Sequence, residues 1–439
     1  VMMEVKPFRA FRFNAEVVGD VGNCIAPPYD IINPAQQQTL YEKSKYNIVR
    51  IIKGKTAPSD TADDNPYTRA AEYFNNWIEK GVLKQDSEEA VYAYIQDFDL
   101  ASTAFQRLSF IALAKLEEFG KTVRDHEQTF DEPKIDRLNL KRATAADFGS
   151  VFMLYEDEQN IAEDIIEAAA DQKPLIDFLD EQNVRHRLFA ITAKDDIDAI
   201  TKMMLDKSCI IADGHHRYGT ALLYSKESAN PAAGYQMLAF ANTRHDGLVI
   251  LATHRLVGNL KDFDAVKLIA SLKENFEITE YKFGARPGDK AAAKQKMLAQ
   301  LKTEYDHDKT TFGIYAGNNA FYSAILKNKQ AMDSFAPNMS PQWRSLDVSV
   351  LHKLVFEKLL GIGEKQLADG SQLEYIKDAD SAIDESIAKV DSGQKQVAFF
   401  TNPVKMQQIK MVTDAGEKMP QKSTYFYPKI YSGLTINKL

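Results

Sequence analysis

The run Cys209-Ile210-Ile211-Ala212-Asp213-Gly214-His215-His216-Arg217-Tyr218-Gly219-Thr220-Ala221 constrains the fold more than any other stretch of the chain. A short apolar piece suits a buried strand, Asp213-Gly214 stops it, and polar residues then open a helix. The helix follows from period, because Tyr218, Ala221, Leu222 and Ser225 fall at i, i+3, i+4 and i+7. A strand over 209–212 and a helix over 215–225 are expected, with Gly214 at the junction. Asp213 is a favourable N-cap type, and Gly214 lets the backbone approach a ligand closely. A helix start presents free backbone N–H groups at one point. Two imidazoles and a guanidinium follow at once, a set that suits an anion and most naturally a phosphate. The plainer view is a solvated helix start at the surface. Asp, Gly, His, His and Arg together between apolar runs weigh against it.

A chain of 439 residues exceeds one small core, so two or three domains, or one large elaborated one, are expected. No apolar run approaches the roughly 20 residues of a membrane helix. The stretch Val1 to Phe8 has no apolar core of a secretory leader. Cys24 and Cys209 are the only cysteines and form no CxxC pair, which disfavours a disulfide framework and structural zinc. A cytoplasmic location is expected. The net charge of −8 opposes nonspecific nucleic-acid binding. Lys134, Arg137, Lys141 and Arg142 form a local basic segment that reads as a helix face or a ligand-facing loop.

Along the chain, Asn47–Ile52 reads as a β-rich run. Tyr67–Lys80 reads as a helix closed by Gly81. Strands are expected at 91–95, 107–116, 150–155, 184–192, 208–212, 235–241 and 248–256. A hairpin turn is expected at Asp99–Thr103. Helices are expected at 161–171, 174–181 and 197–205, and long helical patterns at 262–275 and 289–305. Paired strands at 312–315 and 320–326 and a helix at 348–360 follow. The implied organisation is a mixed α/β region over 1–258 carrying the two main polar motifs. A C-terminal α+β region over 259–439 follows, and its tail, 418–430, returns to the site.

Four clusters could carry chemistry. Arg124-Asp125-His126-Glu127-Gln128-Thr129 offers an anion clamp and a base, and Glu127 could take a proton from a hydroxyl. A solvated charged turn is the even alternative. In the Asp213–Arg217 turn, adjacent His215 and His216 lack the i, i+4 spacing of a helical zinc site. Phosphate contact is therefore preferred, with Asp213 a possible Mg²⁺ ligand beside substrate phosphates. Thr253-His254-Arg255 repeats the His-Arg pairing at a strand end and is weak alone. The tail Lys418-Met419-Pro420-Gln421-Lys422-Ser423-Thr424-Tyr425-Phe426-Tyr427-Pro428-Lys429 places an ammonium and two hydroxyls in succession, or is simply an edge strand with an aromatic face. Ala26-Pro27-Pro28-Tyr29-Asp30 is a rigid turn, either a ligand wall or only a turn. P-loop, GxGxxG and Gly-x-Ser-x-Gly patterns are missing.

These motifs, in this order, resemble a widespread bacterial and archaeal family known as domain of unknown function 1015, the DGHHR-motif proteins. The resemblance runs nearly end to end and supplies no activity by itself. A more remote one does. The strand, Asp-Gly-His-His-Arg turn and helix are similar to the nucleotide-phosphate turn of the ParB, sulfiredoxin and free serine kinase superfamily, over about the central third of the chain. Sulfiredoxins carry their reactive cysteine where this chain has His215, so that chemistry is not expected. ParB-like proteins have a more basic turn and a DNA-binding domain, and no convincing recognition helix is found here. Free serine kinases pair an Asp-Gly-His turn with a separate catalytic Glu, matched by Asp213-Gly214-His215 and Glu127.

The resemblance implies an α+β fold: a mixed sheet with flanking helices, built on a ParB/sulfiredoxin-like nucleotide-binding core with large elaborations. It implies a phosphotransferase for a small hydroxyl metabolite, free serine being one such acceptor. Glu127, His126 and Asp213 would be catalytic. Gly214, His215, His216, Arg217, Arg124, Lys422, Ser423 and Thr424 would bind nucleotide phosphates. ATP or ADP would be the cofactor, with Mg²⁺ at Asp213. The alternative is a non-catalytic nucleotide-binding regulatory protein of the ParB-like type. A nucleic-acid partner is a third, weaker reading, and no membrane partner is expected.

Overall fold

The computed structural model describes residues 2–127, 131–379 and 381–439. Gln128 and Thr129 of the His126-Glu127 motif lie outside them. Backbone contacts divide the chain into two compact units, Val1–Asp125 with Thr129–Val249 and Pro428–Leu439, and His126–Gln128 with Ile250–Tyr427. The division falls at Val249/Ile250 rather than at 258. The intervening strand Thr253–Val257 pairs with strands at 373–377 and 397–401, which fixes it in the second unit.

In the first unit nine strands share one sheet: β1 (Val5–Lys6), β2 (Val91–Leu100), β3 (Thr103–Lys115), β4 (Val123–Arg124), β5 (Val151–Tyr155), β6 (Ile176–Leu179), β7 (Arg185–Ile191), β8 (Cys209–Asp213) and β9 (Tyr235–Asn242). Their order is β4-β8-β5-β9-β3-β2-β7-β6, with β1 added against β3. The sheet is mixed: β8 is parallel to β4 and antiparallel to β5, while β9 is parallel to β5 and antiparallel to β3. With its helices this makes the fold α+β. Side chains alternate between the two faces of a strand. One face is apolar, with Ile95, Leu108, Phe110, Met153, Ile211 and Phe240 packed against Ile166, Met204, Tyr218 and Leu222 of the covering helices. The opposite face carries Tyr94, Gln96, Arg107 and Ser109 in register. The C-terminal residues cross this second face, where the carbonyls of Lys429 and Pro428 accept from Gln96 and Arg107.

In the second unit six strands share one sheet, β10 (Thr253–Val257), β11 (Phe276–Lys282), β12 (Thr311–Tyr315), β13 (Ala320–Leu326), β14 (Leu373–Lys377) and β15 (Val397–Thr401). They run β11-β13-β12-β15-β10-β14, antiparallel throughout. Ala293, Met297 and Leu301 of the helix Asp289–Asp306 pack on Phe321, Ala398 and Phe400. The close approach needs Gly313, since a Cβ there would meet the Met297 sulfur at 2.8 Å.

Two expected elements take another form. Asn47–Ile52 is not a strand: Val49–Ile52 is a helical turn. The buried Asn47 side chain accepts from the Val49 N–H and donates to the carbonyls of Asn23 and Ile25, and these local bonds override β propensity. Pro174–Glu181 is not a helix, because Ile176–Leu179 pairs with Arg185–Leu188 across a turn closed by the Asp180 carboxylate. That carboxylate also holds the buried His186 ring at 2.8 Å.

Candidate functional site

The strand–turn–helix expected at 209–225 is present, as β8 followed by a helix over His215–Glu227. Its buried residues include His215, Tyr218, Ala221 and Leu222. The register of β8 on β5 shifts between Ile211 and Asp213, so the strand bulges as it leaves the sheet. Asp213 is not the N-cap. Gly214 is, with φ +93°, and having no side chain it leaves the first helical turn uncapped. A Cβ on Gly214 would lie 2.9 Å from Arg217 Nη2, so glycine is needed both for its left-handed backbone and for the guanidinium laid across it.

Freed from capping, the Asp213 carboxylate takes Lys429 at 2.5 Å on one oxygen and Arg217 at 3.1 Å on the other. Burial pushes its pKa up, but Lys429 and then Arg217 outweigh burial and hold it below the usual carboxylate range. Arg217 also donates to the Ser150 carbonyl at 2.6 Å. Both Asp213 oxygens therefore face cations, and the carboxylate does not fit the role of Mg²⁺ ligand expected of it. It positions Lys429 and Arg217 instead. Among the described residues, no group of three or more His, Cys, Asp or Glu side chains is placed to hold a metal ion. Arg124 lies on β4, the parallel neighbour of β8, and donates to Ser208 Oγ at 2.9 Å. Cys209 is buried at the start of β8 and its thiol is pushed up by burial, which suits an inert side chain.

Beside the turn, within the first unit, opens a cleft of about 530 Å³ counting its mouth. Arg217, Arg137 and Lys141 line it, with Tyr29, Thr220, Gln236 and Ser432. The Arg137 guanidinium sits 3.8 Å from the centre of the Tyr29 ring. Lys141 is buried and bonded to Asp147 and Gln236, each at 2.7 Å. Arg137 and Lys141 come from one helix, Asp131–Thr144, so the basic segment noted in the sequence presents its charge here. The sequence places Arg137 and Lys141 on a helix face or ligand-facing loop without assigning them to the site, and gives Lys429 no role of its own; the i, i+4 spacing of 137 and 141 and the Pro428-Lys429 step are the available signals.

His216 is half-buried on the same helix as His215, and the remaining expected site residues, His126, Glu127, Lys422, Ser423 and Thr424, belong to the second unit. His126 is buried, and its Nε2 is 2.8 Å from Thr424 Oγ1. The His126 carbonyl accepts from Met419 N–H at 2.8 Å, and Glu127 is half-buried on the same short bridge to Met419. The His126-Glu127 motif and the tail motif thus come together. Ser423 gives its hydroxyl proton to the Pro420 carbonyl, so it closes the turn rather than offering a donor to phosphate. Lys422 is exposed and has φ +55°. Its carbonyl accepts from Arg255, which anchors the turn from β10 and gives the weak Thr253-His254-Arg255 group a structural role. No helix among the described residues is long and apolar enough to cross a membrane.

The sequence profile of the family described as "Protein of unknown function (DUF1015)" matches residues 5–349. The chain belongs to the DUF1015 family. No curated protein matches this DUF1015 sequence. Among solved structures it is similar to a free serine kinase mutant in complex with AMP, at 11% identity and TM-score 0.34, over 71% of this chain and 92% of that one. It is also similar to a conserved hypothetical protein from Pyrococcus furiosus, at 12% identity and TM-score 0.32, over 74% and 97%. A C-terminally truncated SbnI from Staphylococcus aureus matches at 10% identity and TM-score 0.32, over 73% and 84%.

Proposed function

We propose that this DUF1015 protein binds a nucleotide by its phosphates at the Gly214–Arg217 helix start and the adjoining cleft, and transfers a phosphoryl group to a small hydroxyl metabolite. The cleft carries the reading: Arg137, Lys141 and Arg217 line it, held in place by Asp136, Asp147 and Asp213. A concave site lined by guanidinium and ammonium donors beside an uncapped helix N-terminus favours polyanionic ligands. ATP or ADP is the proposed donor. His215, His216 and Arg124 are further proposed phosphate contacts, and Glu127, assisted by His126, is the proposed base for the acceptor hydroxyl. Phosphoryl transfer needs mainly positioning and charge neutralisation, which such residues provide. The free serine kinase resemblance of Asp213-Gly214-His215 and Glu127 makes serine the first acceptor to try.

A second reading is favoured by one observation, the Asp213 carboxylate closed by Lys429 and Arg217, which leaves it no metal to hold. On that reading the protein binds a nucleotide and turns nothing over. Glu127→Gln separates the two. In an assay of phosphate transfer from ADP or ATP to serine and a panel of hydroxyl metabolites, the kinase loses ~10²–10⁴-fold in turnover while nucleotide affinity stays similar. Nucleotide binding without transfer to any acceptor by the wild type establishes the regulatory reading instead.

A further inference from the structure

Arg107 is 1% exposed, on the polar face of the large sheet. Its guanidinium donates to Gln96 Oε1 and to the Pro428 carbonyl, and lies 4.6 Å from the centre of the Phe152 ring. Each of these partners is neutral. Among the described residues no carboxylate is within ion-pair distance of Arg107. The carboxylate that acts on it through space, Asp213, is already shared by Lys429 and Arg217. Arg107 Nη1 is buried with no hydrogen-bond partner, and so is Ser109 Oγ. These two atoms belong to residues i and i+2 of β3, which point to the same face about 7 Å apart along the strand. On the neighbouring β9 the side chains of that face are Ala239 and Ala241, both buried and both small.

A guanidinium taken out of water without a counter-charge is costly, and buried charges in proteins are paired or bind ions. A hydroxyl beside it adds a neutral donor, the combination that grips one oxygen of an oxyanion while the planar fork grips another. We propose that Arg107 and Ser109 form a buried oxyanion subsite, distinct from the cationic cleft, that takes the carboxylate or phosphate group of a small ligand. Gln96 and Pro428 hold the guanidinium through Nε and Nη2 and leave Nη1 without a partner. The proposal stands whether or not the cleft takes a nucleotide. The other fully buried arginine, Arg255, differs: both of its terminal nitrogens already donate to carbonyls, of Thr253 and Lys422.

The test uses the full chain, wild type, Arg107→Gln and Ser109→Ala, at constant ionic strength in chloride. Thermal unfolding is followed against inorganic phosphate and, separately, against acetate. Crystals of the wild type are soaked in selenate and, in parallel, acetate. The subsite predicts that one anion raises the wild-type midpoint more than it raises that of either variant. It also predicts that the anion concentration giving half of that extra rise is about tenfold higher for Ser109→Ala, the loss of one hydrogen bond to a charged group. Acetate acting alone identifies a carboxylate ligand, and phosphate acting alone, with a selenate peak at Arg107 Nη1 and Ser109 Oγ, identifies a phosphate. Should Arg107→Gln not fold, Ser109→Ala and the two soaks decide. Equal responses of wild type and variants to both anions, with no selenate or acetate density at these atoms, overturn the proposal.

Discussion

Asp213 shows how a side chain's role is set by what the backbone does next to it. Its type and position suggest a helix cap, yet Gly214 takes that place and the carboxylate turns to Lys429 and Arg217. The sequence could not disclose this, because Lys429 lies 216 positions away. The glycine itself was legible, since a strand that must stop and turn into a helix within one residue needs a left-handed backbone. Gly214→Ala adds a Cβ at φ +93° against the Arg217 guanidinium. It is expected to cost about 2 kcal/mol or more in denaturant unfolding, from backbone strain plus displaced contacts; a loss under about 0.5 kcal/mol, the level of an unremarkable surface change, would contradict that. Lys429→Met tests the ion pair. The folded-state pKa of Asp213 lies below its unfolded value, so its stabilisation is present above about pH 4. That stabilisation is lost as the pH falls through the folded value, at about 2. Losing Lys429 raises the folded value. The wild type should therefore exceed the variant by up to about 3 kcal/mol at neutral pH, with the gap closing as the pH drops below about 4. A gap of the same size at pH 7 and pH 2.5 would show that Lys429 acts through packing.

Elements with a strong period were readable, and those decided by distant partners were not. The helix Pro66–Glu79 has its apolar face and Gly81 in the expected places. The strand Ile176–Leu179 was misread because Pro174 and four apolar residues fit a helix start equally well, and only pairing with β7 decides. The strands Phe276–Lys282 and Leu373–Lys377 were missed for a related reason. Both are sheet edges rich in Glu and Lys, where one face is solvated and apolar alternation is weak. The β2–β3 hairpin is a two-residue loop in which Ala101 and Ser102 both have positive φ, 46° and 67°. That is the backbone of a primed turn, which Asn-Gly fills without strain. The double change Ala101→Asn, Ser102→Gly is expected to stabilise the first unit by about 1 kcal/mol, read as a higher denaturant midpoint at unchanged m-value. A lower midpoint would mean that this tip makes contacts the strain argument omits.

At the scale of the whole molecule, net charge and local charge point in opposite directions. A total of −8 argues against a polyanionic partner, while Arg137, Lys141 and Arg217 collect around one cleft. Composition therefore excludes a broad basic surface but says nothing about a site built by three side chains. The motifs that mark the family were legible in the linear sequence, and so was the turn that ends β8. The cleft was not, because it is assembled from Tyr29, the helix Asp131–Thr144, Arg217 and Ser432, which only folding brings together. Nucleotide-phosphate binding at this cleft and turn is the central proposal. The most direct measurement is calorimetric titration of ADP and ATP into the wild type and into Arg217→Ala. Submillimolar binding by the wild type is predicted, weakened about tenfold or more in the variant by loss of a charge-assisted hydrogen bond. No heat of binding for either nucleotide at millimolar concentration, or equal affinities in the two proteins, would contradict it.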